Sequence, residues 1–136
     1  MKIDKLNYVK QAENVMNSLF AENNGRGVIT TNQLRIIHSL IMGLYDKVRY
    51  TDTDQLDEEV QSQIQYVKMK IVYIVGRDMA NSGKKNPPTV EPFLKKSELL
   101  EYLDAIGSRD ELILVCRYME ALVAYHKYKE ANNHVR

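Results

Sequence analysis

The chain has 136 residues, which is enough for one domain with a buried core and too few for two comfortable domains. Its 44% hydrophobic and 27% charged residues are ordinary for a soluble globular protein, while only six glycines and three prolines disfavour a turn-rich all-β fold. The net charge of +1 excludes a chain that attracts nucleic acid through overall positive charge alone.

The cysteine content and the N-terminus indicate the compartment. Cys116 is the single cysteine, so neither an intramolecular disulfide nor a thiolate metal site is expected, which suits a reducing environment. The first residues have no apolar signal-peptide core, and no run approaches the roughly eighteen apolar residues of a membrane span. We therefore expect a cytoplasmic protein without a membrane partner.

Charge is segregated along the chain in blocks. Residues 25–50 carry a net charge of +3 and residues 66–96 carry +5, whereas residues 51–59 carry −5 and residues 97–111 carry −4. Such blocks predict a basic and an acidic face, which a repeating subunit can use to contact both its own neighbour and an RNA.

The first two helices follow from apolar spacing and a capping signal. Apolar residues recur at helical spacing from about Lys5 to Glu22, and the Gly-rich AENNGRG ends this first helix. Thr30 and Gln33 match a capping box, which predicts a second helix that runs to about Val48 or Arg49.

The third helix is predicted from Leu56 to Asn81, after an acidic segment in which Asp54 is a plausible N-cap. Its buried stripe comprises Val60, Ile64, Val67, Ile71 and the pair Ile74/Val75. Because Met69 and Val72 make another side apolar, we expect this helix to pack on more than one face and to be the central helix.

A second face of this helix carries Tyr66, Lys70, Tyr73 and Arg77 at i, i+4, i+7 and i+11. In one interpretation the tyrosines lie at the edge of the core and the cations reach water. In the other, the ladder meets a polyanion, with the cations on phosphates and the phenols on sugars or bases.

The C-terminal part predicts two more helical regions. Residues 90–106 form a fourth, broken or kinked near residues 95–97, and a Ser108/Glu111 capping box opens a fifth that runs to about Glu130 and leaves residues 131–136 as a frayed tail. His126 falls on the buried stripe, where we expect a hydrogen-bonded core-edge histidine. The prediction is an all-α, single-domain bundle of about five helices spanning residues 1–136.

No pattern of catalytic or metal-ligating residues stands out. His38, His126 and His134 form no HxxxH or HExxH pair, and Cys116 has no evident base beside it. Asp78 is expected to form a buried salt bridge with an arginine such as Arg35 rather than to act in catalysis. We therefore predict no catalytic residue, no metal and no cofactor.

Five segments together resemble the small subunit of the type III-A CRISPR effector, the Csm complex, over about Tyr8 to Tyr128. They are TTNQLR at 30–35, LYDKV at 44–48, IQYVKMKIVYIVGRD at 64–78, VEPFLKK at 90–96 and CRYMEALVAYHKY at 116–128. The resemblance implies a small, non-catalytic helical protein that forms an inner filament of several copies. Its partners are then the crRNA and target RNA, the crRNA-binding backbone subunits and the large subunit.

The basic helical blocks supply candidate RNA contacts, namely Arg35, Arg49, Lys68, Lys70 and Arg77. Because guide pairing reads the sequence in such complexes, we expect these cations to contact the sugar-phosphate backbone. Lys68 points away from the Lys70/Arg77 face and is the weakest of the five. The small net charge implies that RNA binding depends on neighbouring subunits.

An alternative from another class is a helical adaptor without nucleic-acid contact. The face of the fifth helix that carries Ala121 and Ala124 between Arg117 and Tyr128 would let a partner helix approach closely. Salt dependence separates the two functions, because phosphate contacts weaken steeply as salt rises.

Overall fold

The computed structural model describes residues 1–135, without the side chains of residues 23, 24 and 133–135, and it confirms an all-α bundle. The elements are α1 (Tyr8–Ala21), a 3₁₀ turn (Glu22–Gly25), α2 (Thr31–Val48), α3 (Glu58–Ala80), α4 (Val90–Ser97), α5 (Leu99–Ala105) and α6 (Arg109–Val135). The predicted fourth region is thus two helices, which are divided at Glu98 by a left-handed φ of 57°. Helix α6 extends past Glu130, where the sequence placed its end.

The central helix of the bundle is α6, which packs against α1 and α2. Its apolar side is fully buried along Leu112, Val115, Met119 and Leu122. Tyr118 is also buried and donates a 2.8 Å hydrogen bond to the carbonyl of Ser97, which ties α6 to the end of α4. Helix α6 therefore joins the N-terminal helices and the end of α4 in one core.

Helix α3 is peripheral, so its predicted central position is wrong. The predicted stripe of Val60, Ile64, Val67 and Ile71 is buried as expected. On the outer side, however, Met69 and Val72 are 57% and 56% exposed, together with Tyr66, Tyr73 and Met79. Helix α3 packs against α2, α4 and α5 and contributes its buried stripe to the core from the outside.

Local capping interactions fix where the helices begin. Thr30 Oγ1 accepts a hydrogen bond from Gln33 N at 3.1 Å and Gln33 Oε1 accepts one from Thr30 N at 3.0 Å, which confirms the capping box of α2. Asp57, not Asp54, is the N-cap of α3, since its carboxylate accepts from Val60 N at 2.9 Å. Asp54 instead accepts from Asp110 N at 2.9 Å and so caps the start of α6.

Side-chain contacts between helices establish that α2 and α3 are antiparallel. Gln33, at the start of α2, contacts Asp78, near the end of α3, whereas Lys47 and Glu59 pair at the opposite end. Helix α6 runs parallel to α3, because it begins at the α2–α3 connection and its Glu130 accepts a 2.7 Å hydrogen bond from Thr31. Within residues 1–135, no helix combines the length and apolarity needed to cross a bilayer.

Candidate nucleic-acid interface

The five predicted RNA contacts do not form one cluster. Arg35 and Arg77 lie at the same end of the α2–α3 pair, next to the contact between Gln33 and Asp78. Lys70 is eight residues before Asp78 and hence about 12 Å further along α3 at 1.5 Å per residue. Arg49 lies at the opposite end, immediately after α2. The structure thus brings Arg35 and Arg77 to one end, with Lys70 about two turns away.

Two of the five cations have acidic partners within the chain. Lys68 forms an ion pair with Asp104 of α5, and its side chain is only 22% exposed. Arg49 lies 3.8 Å from Asp46 and places its guanidinium 4.6 Å from the centre of the Tyr50 ring. Surface pairs of this kind are weak, but they reduce the charge available to a phosphate.

Arg35, Lys70 and Arg77 have no carboxylate within 4.0 Å among the residues that the structure describes. Arg35 and Arg77 are exposed, and Lys70 Nζ lies 5.8 Å from the centre of the Tyr66 ring. Tyr73 is 64% exposed, so the tyrosines of the ladder lie on the surface rather than at the edge of the core. Tyr66, Tyr73 and Arg77 of the ladder are thus exposed and Lys70 is half-buried, and neither cation is paired with a carboxylate in the described part of the chain.

Asp78 does not pair with Arg35, so this predicted salt bridge is wrong. Its Oδ2 accepts hydrogen bonds from the backbone N–H groups of Thr89 and Val90 at 2.8 and 3.0 Å, and its Oδ1 accepts from Gln33 Nε2 at 3.2 Å. The carboxylate thereby caps α4 across the α3–α4 connection. Backbone donors at a helix start are satisfied well by a nearby carboxylate, which leaves both arginines without an internal partner here.

His126 is a buried core-edge histidine, as predicted. Its Nε2 lies 2.7 Å from the carbonyl oxygen of Ile29, and its ring meets Phe20 edge to face with centroids 5.6 Å apart.

Burial raises the pKa of the Cys116 thiol to about 12, so this cysteine is a protonated core side chain.

Further cations that the sequence prediction did not single out gather at the same end as Arg35. Gly27, with a φ of +79°, lies against Pro87 and Pro88, which joins the α1–α2 connection to the α3–α4 connection. We call this part of the surface the basic end; its exposed cations are Arg26, Arg35, Arg77, Lys84, Lys85 and Lys127. All of these cations except Lys127 belong to the two basic blocks of the sequence. The charge distribution along the chain therefore already indicated a basic region.

The opposite end of the bundle is acidic. The α2–α3 connection meets the start of α6 there, and we define this acidic end by its exposed carboxylates, Asp52, Asp54, Asp57, Glu58, Glu59 and Asp110. Since α2 has 18 residues, the two ends are separated by about 27 Å. The acidic block 51–59 therefore lies at one pole, and part of each basic block lies at the other.

Taken together, these observations define a small all-α bundle with exposed cations gathered at one end. The family model for Csm2 Type III-A matches residues 4–132 of the chain. The CRISPR system Cms protein Csm2 of Mycobacterium tuberculosis (strain CDC 1551 / Oshkosh) is 40% identical over 129 residues, which cover 94% of this chain and 95% of that protein.

Two further relatives carry the same name. The Csm2 protein of Streptococcus thermophilus is 37% identical over 122 residues, or 90% of each chain. That of Enterococcus italicus is 32% identical over 103 residues, which cover 74% of this chain and 67% of that protein. The chain belongs to the Csm2 family, the small subunit of the type III-A CRISPR Csm complex, and the resemblance seen in the sequence is confirmed.

Proposed function

We propose that this chain is a non-catalytic subunit that contacts the duplex of crRNA and target RNA through its sugar-phosphate backbone. The observation that carries the proposal is the ladder on α3, in which Arg77 is exposed and Lys70 is half-buried, together with the exposed Arg35 at the same end of α2. These cations have no acidic partner among the described residues. In a complex that reads the RNA sequence by guide pairing, a subunit needs cations that contact phosphates and needs no base-reading motif.

The same surface suggests why the protein acts within an assembly. With a net charge of +1, the free chain lacks the field that holds a polyanion by itself. Successive copies along a filament would repeat the ladder at regular intervals and so add up their phosphate contacts. The crRNA-binding backbone subunits and the large subunit would supply the remaining contacts, and the catalytic steps would belong to other subunits in the cytoplasm.

The arrangement of charge supports head-to-tail self-association. A contact between the basic end of one copy and the acidic end of the next is heterologous, and such contacts repeat into open filaments. Reversing charge at the basic end, with Lys84→Glu and Lys85→Glu, should abolish self-association. Adding Asp52→Lys and Glu58→Lys to the same chain should restore it, as followed by light scattering. Equal association of all three proteins would contradict the head-to-tail model.

The RNA contact is tested by binding of target RNA to the reconstituted complex across a salt series. Replacing Lys70 and Arg77 with alanine should weaken binding and make its salt dependence shallower by about 0.7–0.9 per lost phosphate contact per subunit. Lys10→Ala/Lys95→Ala is the matched control, because both of these lysines are exposed and pair with a glutamate on their own helix. Circular dichroism of each isolated protein checks folding.

The outcomes separate the two functions. Unchanged binding and slope in a folded Lys70/Arg77 variant would contradict phosphate contacts by the ladder. The alternative adaptor surface on α6 is smaller than the sequence suggested, because Ala121 is only 9% exposed and Ala124 alone is accessible. An Ala124→Arg variant that fails to join the complex, together with an unchanged RNA slope in the Lys70/Arg77 variant, would support the adaptor.

A further inference from the structure

A half-open cavity lies between α2 and α6, next to the basic end. Its volume is about 230 Å³, and its walls include Leu34, Arg35, His38, Val123, His126 and Lys127. A protein cavity of about 150 Å³ is large enough to hold benzene. The space between α2 and α6 therefore accommodates one ring system of the size of a nucleobase and excludes a base pair.

The charge around the cavity favours an anionic group. Arg35 and Lys127 are both exposed, and neither has a carboxylate within 4.0 Å in the described part of the chain. The nearest acidic side chain placed by a contact is Glu130, whose Oε2 accepts a 2.7 Å hydrogen bond from Thr31, another wall residue. Two cations from different helices thus flank an opening whose own lining contains no acid.

The interior of the cavity is suited to a planar, partly polar ring. Leu34 is buried and supplies an apolar wall, together with the half-buried Val123. The His126 ring is held in place by its contact with the Ile29 carbonyl. His38 Nε2 is buried without a hydrogen-bond partner among the described residues. A buried polar atom without a partner costs free energy. A ligand that forms a hydrogen bond with His38 Nε2, after a small rotation of the imidazole ring, would offset that cost.

We propose that this cavity binds one nucleotide, with the base between the α2 and α6 walls and the phosphate on Arg35 and Lys127. Apolar walls, imidazole rings and flanking cations are the combination that an unpaired nucleotide requires, since its base stacks on flat side chains and its phosphate pairs with cations. The nucleotide is either an unpaired residue of an RNA strand or a free nucleotide. Only the first source rests on the function proposed above.

The test is a titration of the isotope-labelled full chain with AMP, adenosine and inorganic phosphate, followed by NMR. AMP should shift the resonances of Leu34, Val123 and His126 and bind at least tenfold more tightly than adenosine or phosphate. Lys127→Ala should weaken AMP binding about fivefold to tenfold, and Lys10→Ala should leave it unchanged. Val123→Phe, which fills the cavity, should abolish the shifts in a protein whose circular dichroism is native.

Each outcome is decisive for the cavity. If inorganic phosphate binds as tightly as AMP, the cavity is only a surface anion site and does not bind a base. If the resonances of the wall residues do not shift, the proposal is overturned. A reconstituted complex with 4-thiouridine in the target RNA distinguishes the two sources of the nucleotide. A crosslink from the RNA to the α6 wall would show that the bound nucleotide is a residue of the RNA strand. A protein that does not bind AMP can still contact RNA through Lys70 and Arg77, and an unchanged salt slope in the Lys70/Arg77 variant says nothing about AMP binding. The two proposals can therefore fail independently.

Discussion

Replacing Asp78 with alanine should lower the free energy of unfolding by about 2–3 kcal/mol, through the loss of hydrogen bonds to a charged acceptor. The Asp78 carboxylate connects three helices, since it is part of α3, caps the first turn of α4 and accepts from Gln33 of α2. Alanine would remove the acceptor and leave the N–H groups of Thr89 and Val90 without a partner.

The magnitude follows from the two backbone bonds. Loss of an N-cap acceptor typically costs about 1 kcal/mol and up to about 2, and each N–H left unsatisfied in a buried site costs about 1–3 kcal/mol. The site is only partly buried, so water satisfies part of what is lost. For a chain of this length, about 3–4 °C of melting temperature corresponds to 1 kcal/mol, which predicts a decrease of about 6–12 °C.

Urea denaturation followed by far-UV circular dichroism measures this loss. Asp78→Asn retains one acceptor oxygen and should lose about half as much as Asp78→Ala, whereas Asp52→Ala, at an exposed position, should stay within about 0.5 kcal/mol of the unmodified protein. An Asp78→Ala protein as stable as the Asp52→Ala control, with the same denaturant slope, would refute the role of Asp78 in joining the three helices.

Three further predictions concern the core around α6. Tyr118→Phe removes the buried bond to the Ser97 carbonyl and should cost about 1–2 kcal/mol in urea denaturation, while Tyr128→Phe, on the surface, should cost nothing measurable. Burial, with the Glu98 charge as a second cause, raises the pKa of Tyr102 to about 12. Stability is therefore complete below the unfolded pKa of about 10 and should fall as pH rises from 10 towards 12; a melting temperature that stays constant over this range would contradict it. Cys116, whose pKa burial raises to about 12, should react with iodoacetamide at neutral pH only as fast as the protein unfolds, and fast labelling of the native protein would contradict its burial.

Local signals in the sequence predicted most of the helices. The Thr30 capping box and the stripe of α3 depend on neighbours within four residues, so spacing alone reveals them. The sequence predicts the break between α4 and α5 near residues 95–97, whereas the helices divide at Glu98. This residue adopts the left-handed conformation without the glycine or asparagine that usually marks it.

Features that depend on distant residues were not predictable in the same way. Periodicity shows that α3 has one buried stripe, but not that its second apolar side lacks a partner, because this depends on how α6 fills the core. Asp54 caps a helix that begins 55 residues later, and Lys68 pairs with Asp104 across 36 residues. The same holds for the candidate RNA contacts. The sequence shows that they are cations, but it does not show which of them pair with a carboxylate inside the protein.

The packing of α1 against α6 has a consequence for how the chain folds during synthesis. Among the described helices, α1 leaves the ribosome first and α6 last, and the buried side chains of each, such as Met16 and Met119, belong to the same core. A nascent chain that lacks α6 therefore exposes the apolar faces of α1 and α2 together. We therefore expect this core to form only after α6 has been made, and a chain truncated before residue 109 to be a target for chaperones and proteases.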